Sequence, residues 1–152
     1  MPVPFLSYDD AALFNVLNVA LAAWLLLIVG PRWKITQAVV LLVTAFVCAL
    51  YTALLYNFAV NGPGIDFTAF FSLEGVTQLF ATPSVALACW AHYVAGDLWV
   101  GRWVAIDAAQ RQIPQILMVP ILALVCMLGP AGLLVYFLIR GNWRVKSGVK
   151  MD

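Results

Sequence analysis

The chain has 152 residues, 64% of them hydrophobic and only 10% charged. A soluble domain of this size carries roughly 45–50% apolar and about 25% charged residues, and eight basic with seven acidic side chains cannot cover such a surface. A water-soluble enzyme, a nucleic-acid binder and a disordered chain are therefore excluded; six Trp, nine Phe and a mean hydropathy of +0.98 place the sequence in the membrane class.

The length suits a single membrane domain over residues 1–152. The opening MPVPFLSYDD has no Lys or Arg and is not read as a signal peptide. Asp9 or Asp10 is expected to cap the helix that follows. The first span covers about 11–30, AALFNVLNVALAAWLLLIVG. As a helix it is about 30 Å long, the thickness of a bilayer core. Gly30-Pro31 ends it, and Arg32-Trp33-Lys34 forms a basic, aromatic interfacial clamp. The second span covers about 35–60 and stops at Asn61-Gly62-Pro63-Gly64.

Residues 67–82 are apolar but are flanked by Asp66 and carry Glu74. They read as an interfacial or re-entrant helix, because a helix starting after Ser72 would hold Glu74 in its first turn, where the dipole favours an acid. Pro83 opens the third span, about 83–101. Its helix is expected to continue into water, with Asp107 and Arg111 as a solvated i,i+4 pair. The fourth span covers about 117–139, with a kink at Gly129-Pro130 and close packing at Gly132. Arg140, Arg144, Lys146 and Lys150 form a basic tail. The fold expected is an all-α integral membrane protein: a four-transmembrane-helix bundle with an extra re-entrant or interfacial helix. Four spans set Arg32, Lys34, Arg102 and Arg111 against the four tail cations, so charge does not choose an orientation. A fifth span over 65–82 would break that tie and is the competing topology.

At membrane depth the informative residues are the polar ones. His92, the single histidine, falls near the centre of the third span. It reads as a proton carrier or a ligand to a metal or pigment magnesium, or else as a helix–helix hydrogen bond. Asp97 lies on the same helix, where desolvation suits a general acid and an ion pair is the structural alternative. His92 and Asp97 are five residues apart, about 140° around the helix, and do not face the same way. Glu74 is the second candidate acid, or a solvated carboxylate at a helix start. Asn15 and Asn18 read as packing across a helix interface. The three cysteines Cys48, Cys89 and Cys126 sit in separate apolar runs and read as small core residues. No residues have metal-ligand spacing, and no nucleotide or haem motif implies a cofactor.

The run FSLEGVTQLFATPSVALACWAHYVAGDLWVGRWVAIDAAQRQIPQ carries a pattern. It has Leu73-Glu74-Gly75, then Trp90, His92, Tyr93, Asp97, Leu98, Arg102 and Trp103. After them come Asp107-Ala108, Ile113-Pro114 and Gly129-Pro130 with Gly132. In this it resembles the neoxanthin-synthesis membrane proteins of plastids, the abscisic-acid-deficient-type family, which has bacterial relatives. The resemblance covers roughly residues 71–139; the first two spans match only in hydrophobic pattern. With no transit peptide before the first span, it implies a bacterial-type member in an inner or intracellular photosynthetic membrane.

The resemblance implies carotenoid processing. Converting violaxanthin to neoxanthin opens a 5,6-epoxide and forms an allene with no net redox change. Such a step needs an acid at the epoxide oxygen and a base for a polyene-side proton. Asp97 or Glu74 as the acid and His92 as the base would supply both, with Arg102 as a further charged member of the catalytic set and Trp90, Tyr93 and Trp99 as substrate-binding aromatics. The partners expected are membrane lipid, a carotenoid or other isoprenoid, and either further copies of the chain or the subunits of a larger membrane complex. Two other readings stand beside the enzyme: a non-catalytic pigment- or lipid-binding subunit, and a small transporter with His92 and Asp97 as a proton relay. A His92 beside converging polar groups favours the enzyme, and a lipid-facing His92 with apolar neighbours favours pigment binding.

Overall fold

The computed structural model describes residues 9–62, 64 and 66–143, and all regular structure among them is helical. Arg144, Lys146 and Lys150 of the basic tail lie outside the described residues. The chain divides into two compact units, Met1–Asn18 with Ala45–Ala95, and Val19–Thr44 with Gly96–Asp152. Helices α3 (Lys34–Asn61) and α5 (Pro83–Gln110) contribute to both.

The first unit begins with α1, Asp10–Val16. Asp9 caps it, accepting a hydrogen bond from the Ala12 N–H at 2.6 Å. The expected continuous first span is interrupted: the N–H groups of Leu17 and Asn18 close tight turns onto the carbonyls of Phe14 and Asn15. Asn15 and Asn18 are exposed at this break rather than packed in an interface. Asparagine competes with helical backbone bonding, which suits it to an interruption. In α3, Asn57 and Asn61 pair on consecutive turns, Asn61 Nδ2 donating to Asn57 Oδ1 at 3.0 Å, and the helix stops there as the following glycines predict.

The segment expected as one helix over 67–82 is an elbow of two pieces. A 3₁₀ turn, Phe67–Phe71, is capped by Asp66, whose Oδ1 accepts from both the N–H and the hydroxyl of Thr68. Helix α4, Leu73–Phe80, is capped by Ser72, whose Oγ accepts from the Gly75 N–H at 3.0 Å. Glu74 lies in its first turn, as its spacing from Ser72 predicts. Gly75 rests against the Ala69 carbonyl, where a Cβ would not fit.

In the second unit, α2 (Val19–Val29) ends at Gly30-Pro31. The Trp33 ring covers the face of Gly30, and Gln37 Nε2 donates to the Pro31 carbonyl at 2.6 Å. The largest departure lies further on. The single kinked span expected over 117–139 is a helical hairpin. Its arms are α6, Gln115–Leu128, and α7, Pro130–Arg140. Gly129 turns at φ +29°, a conformation that disfavours a side chain. Pro130 follows at the first helical position, where its missing N–H costs nothing. The arms then pack against each other, with Gly132 directly on the backbone of Leu124 and Val125. They are about 21 and 17 Å long, each too short to cross a bilayer alone.

Two helical stretches, Asp10–Val29 and Lys34–Asn61, are long and apolar enough to cross a membrane. Helix α5 has the length, at 28 residues, but carries His92, Asp97, Arg102 and Asp107. The described residues thus establish an all-α fold with two membrane-crossing candidates, and not the four-span bundle that hydropathy suggests.

Candidate functional site

The first unit holds a cavity of about 660 Å³, within the range of small-molecule sites. The last three turns of α3, the first three of α5 and the elbow form its wall. Leu54, Leu55, Phe58, Phe70, Leu79, Phe80, Val85 and Ala88 make it largely apolar. The polar lining is sparse: Asp10, Tyr51, Asn57, Asn61, Thr82, Ser84, His92 and Tyr93. Cys89 lines it too.

Helical spacing places these groups. His92 lies nine residues beyond Pro83, about 13 Å along α5. Tyr51 is ten residues before Asn61, about 15 Å along α3. The His92 ring packs on the Tyr51 ring at 5.5 Å between centroids and on the Tyr93 ring at 6.1 Å, nearly edge-on. Its nitrogens make no hydrogen bond within the described residues, and the side chain is exposed. One end of the cavity therefore carries an imidazole framed by two phenols and free to meet a ligand. At the opposite end the amides of Asn57 and Asn61 hydrogen-bond to each other.

Of the residues singled out in the sequence, His92 and Tyr93 line this cavity, and Glu74, Trp90, Asp97, Trp99 and Arg102 do not. Glu74 is exposed at the start of α4 and accepts from Gln78 Nε2 at 3.4 Å. Trp90 stacks at 6.1 Å on Phe14. Asp97 belongs to the second unit, where its carboxylate lies against Gly129 at the tip of the α6–α7 hairpin. Arg102 places its guanidinium over the Trp99 ring at 5.6 Å, with a buried Nε that has no partner.

Asp10 is the lining residue that sequence reasoning missed as a site. The sequence marks it only as a candidate helix cap, a role that Asp9 fills. Its Oδ1 is buried without a hydrogen-bond partner. Two adjacent acids at a helix start, where one cap suffices, were the available signal.

The second unit contains a charge cluster of a different kind. Asp107, expected as half of a solvated pair, is only 9% exposed. Its Oδ2 accepts from Arg111 Nε at 2.8 Å, Arg140 Nε at 2.7 Å and the Tyr136 hydroxyl at 2.5 Å. Burial pushes its carboxyl up, but the bonds from Arg140, Arg111 and Tyr136 and the Arg111 charge outweigh burial and hold it well below the ordinary carboxylate range. Arg140, expected in a basic tail, also lies over the Trp103 ring at 5.7 Å. Arg111 reaches the Trp143 carbonyl at 2.7 Å. Asp107 Oδ1 accepts from Arg140 Nη2 at 3.2 Å, so the cluster fastens the base of the hairpin to α5 with both carboxylate oxygens engaged. The cysteines are free thiols, and Cys48 is exposed rather than a core residue.

The described residues thus form an all-α chain with two apolar helices of membrane-crossing length and a largely apolar cavity that carries one imidazole. The ABA DEFICIENT 4-like (ABA4-like) family model matches residues 12–136. The chain belongs to that family. No curated protein and no solved structure matches it.

Proposed function

We propose that the protein is a membrane-embedded carotenoid-processing protein whose reactive site is the His92 cavity. Family membership supports a role in carotenoid- or neoxanthin-related processes. The observation that carries the reading is the cavity, long and apolar, with a free imidazole framed by Tyr51 and Tyr93. Its lining runs from Tyr51 to Asn61, about 15 Å along α3, which suits the end group of a carotenoid with the adjoining polyene, the rest of the chain extending beyond it.

The reaction proposed is an isomerisation by epoxide opening. A proton is delivered to the epoxide oxygen as the carbon–oxygen bond breaks, and a polyene-side proton leaves as the allene forms. Proton gain and loss balance, so no redox partner is required. His92 is the base, since it is the imidazole within reach of a ligand in the cavity. Asp97 and Glu74 are the acids that the sequence offers for the proton donor. Because neither lines the cavity, the proposal rests on His92. The membrane arrangement that fits has α1–α2, α3 and residues 83–101 of α5 as crossings, with Asp107 beyond the last of them, and the α6–α7 hairpin as a re-entrant element, closed on itself so that its backbone polar groups stay bonded.

One observation favours a second reading. His92 is exposed, has ring neighbours and makes no hydrogen bond, which also suits non-catalytic pigment binding. Expression in a carotenoid-producing host, with extraction and identification of the pigments, separates the two. Turnover predicts a product pigment that disappears in His92→Ala and falls in Asp97→Asn or Glu74→Gln if either is the acid. Binding alone predicts a stoichiometric, unchanged pigment with the parent protein. A colourless preparation with no altered pigment in the host would sink both.

A further inference from the structure

We infer that Tyr51 is the general acid of the cavity, its phenol giving a proton to the epoxide oxygen while His92 takes the polyene-side proton. The inference rests on the proposed epoxide opening at the His92 cavity, and it supplies the donor that neither Asp97 nor Glu74 is placed to be. Tyr51 and His92 hold matching positions on facing walls. On α3 the lining residues Tyr51, Leu55 and Phe58 share one helix face, and on α5 Val85, Cys89 and His92 repeat the same four-then-three spacing. The first stripe begins at Tyr51 and the second ends at His92, and there the two rings meet at 5.5 Å between centroids. Tyr51 is half-buried, and its hydroxyl is accessible and makes no hydrogen bond within the described residues. Tyr93 also touches the imidazole, but it lies about 100° around α5 from His92 and is 55% exposed.

The rest of the polar lining suits the task less well. Asn57 and Asn61 are bonded to each other, and Asp10, once ionised, only accepts. Thr82 and Ser84 are aliphatic alcohols, no more acidic than the hydroxyl the opening epoxide becomes. Cys89 shares a helix with the base, and a thiol is a weak donor. A phenol is a stronger acid than an aliphatic alcohol, so it yields its proton as charge develops on the epoxide oxygen.

The step balances. The electron pair of the breaking carbon–oxygen bond passes to oxygen, which takes the Tyr51 proton and becomes a hydroxyl. The pair of the C–H bond on the neighbouring carbon becomes the new double bond of the allene, and His92 holds the proton released. Because the two carbons are adjacent, acid and base must stand side by side, as these rings do. An imidazolium is a stronger acid than a phenol, so the proton then passes from His92 to the Tyr51 oxygen. Both groups are restored without a co-reactant.

The test follows turnover of violaxanthin by the purified full chain in lipid nanodiscs, with pigment binding measured alongside. Tyr51→Phe deletes the hydroxyl and keeps the ring. It is expected to lower kcat by about 100-fold or more while pigment binding stays at the parental level. Replacing Tyr51 with 3,5-difluorotyrosine, a stronger acid of nearly the same shape, moves the alkaline limb of the pH–rate profile to lower pH, which a packing role would not do. Parental turnover in Tyr51→Phe beside an inactive His92→Ala overturns the inference while the cavity reading survives. If Tyr51→Phe loses binding or does not fold, the fluorinated chain decides: a shifted limb supports the inference and an unmoved one overturns it. A parent chain that leaves violaxanthin unchanged, or a fully active His92→Ala, overturns the proposed reaction and the inference with it.

Discussion

Asp107 and His92 sit on the same helix in opposite conditions. Asp107 is nearly buried and saturated, with two guanidiniums and a phenol on one carboxylate. His92 is exposed, touches two aromatic rings and bonds to nothing in the described chain. The difference teaches where to look for chemistry. A fully partnered charge has its interactions spent on holding the fold. An unpartnered imidazole beside a cavity has them available for a ligand.

That comparison assigns the charge cluster to the fold and, under the proposed function, the cavity to chemistry, and it can be broken from either side. The largest effect is expected at Asp107. Asp107→Ala would strand Arg111 and Arg140 and leave the buried Tyr136 hydroxyl without its acceptor, for a loss of about 3 kcal/mol. Thermal unfolding in detergent checks this, and a negligible shift would show that the cluster does not hold the hairpin.

The same carboxylate sets an acid limit. Its folded pKa lies below the unfolded value, so its contribution is complete above about pH 4, the ordinary carboxylate value, and drains away as pH falls toward the folded one. Parent stability should therefore drop with acidification below about pH 4, more steeply than that of Asp107→Asn.

Next in size is Gly132→Ala. A Cβ there meets the backbone of Leu124 and Val125, which cannot rotate aside. The hairpin arms must separate, at a cost of about 2 kcal/mol. Unfolding of the variant tests the fold-back directly, because a merely kinked span would accept alanine at that position. Tyr136→Phe removes one bond to the Asp107 carboxylate and should cost about 1.5 kcal/mol. The smallest stability effect belongs to His92→Ala, expected within about 0.5 kcal/mol of the parent. If His92→Ala unfolds the protein while Asp107→Ala does not, the assignment of roles is reversed.

Much of the helical framework was legible from local chemistry. The stop at Gly30-Pro31, the break after Asn61, the Ser72 cap with Glu74 behind it and the start at Pro83 each depend on residues within a turn or so of one another. The interruption at Leu17–Asn18 leaves no such local mark, because twenty largely apolar residues are consistent with an unbroken span. Gly129-Pro130 announced a break in the helix, but not the angle through which the chain would turn. A kink and a reversal begin with the same two residues. What distinguishes them is the packing of Gly132 on a helix that precedes it.

The site divides in the same way. His92 stands out as a polar group in an apolar run and Tyr93 as a candidate substrate-binding aromatic, and both line the cavity. Asp97, Glu74 and Arg102 stand out as His92 does, and Trp90 and Trp99 as Tyr93 does, and none of these lines it. A helix whose polar residues point in several directions carries no mark of which face meets a cavity. By itself the sequence determined the composition class, most helix ends and the family pattern, because those are set by residue chemistry over short separations. Only the tertiary structure decided that Asp107 is a buried hub, that the last apolar stretch doubles back, and that Asp10 joins His92 around one cavity. Asp107 meets Tyr136 and Arg140 across 29 and 33 residues, and Asp10 and His92 lie further apart still. Pairings at such separations are chosen by packing, which no local pattern encodes.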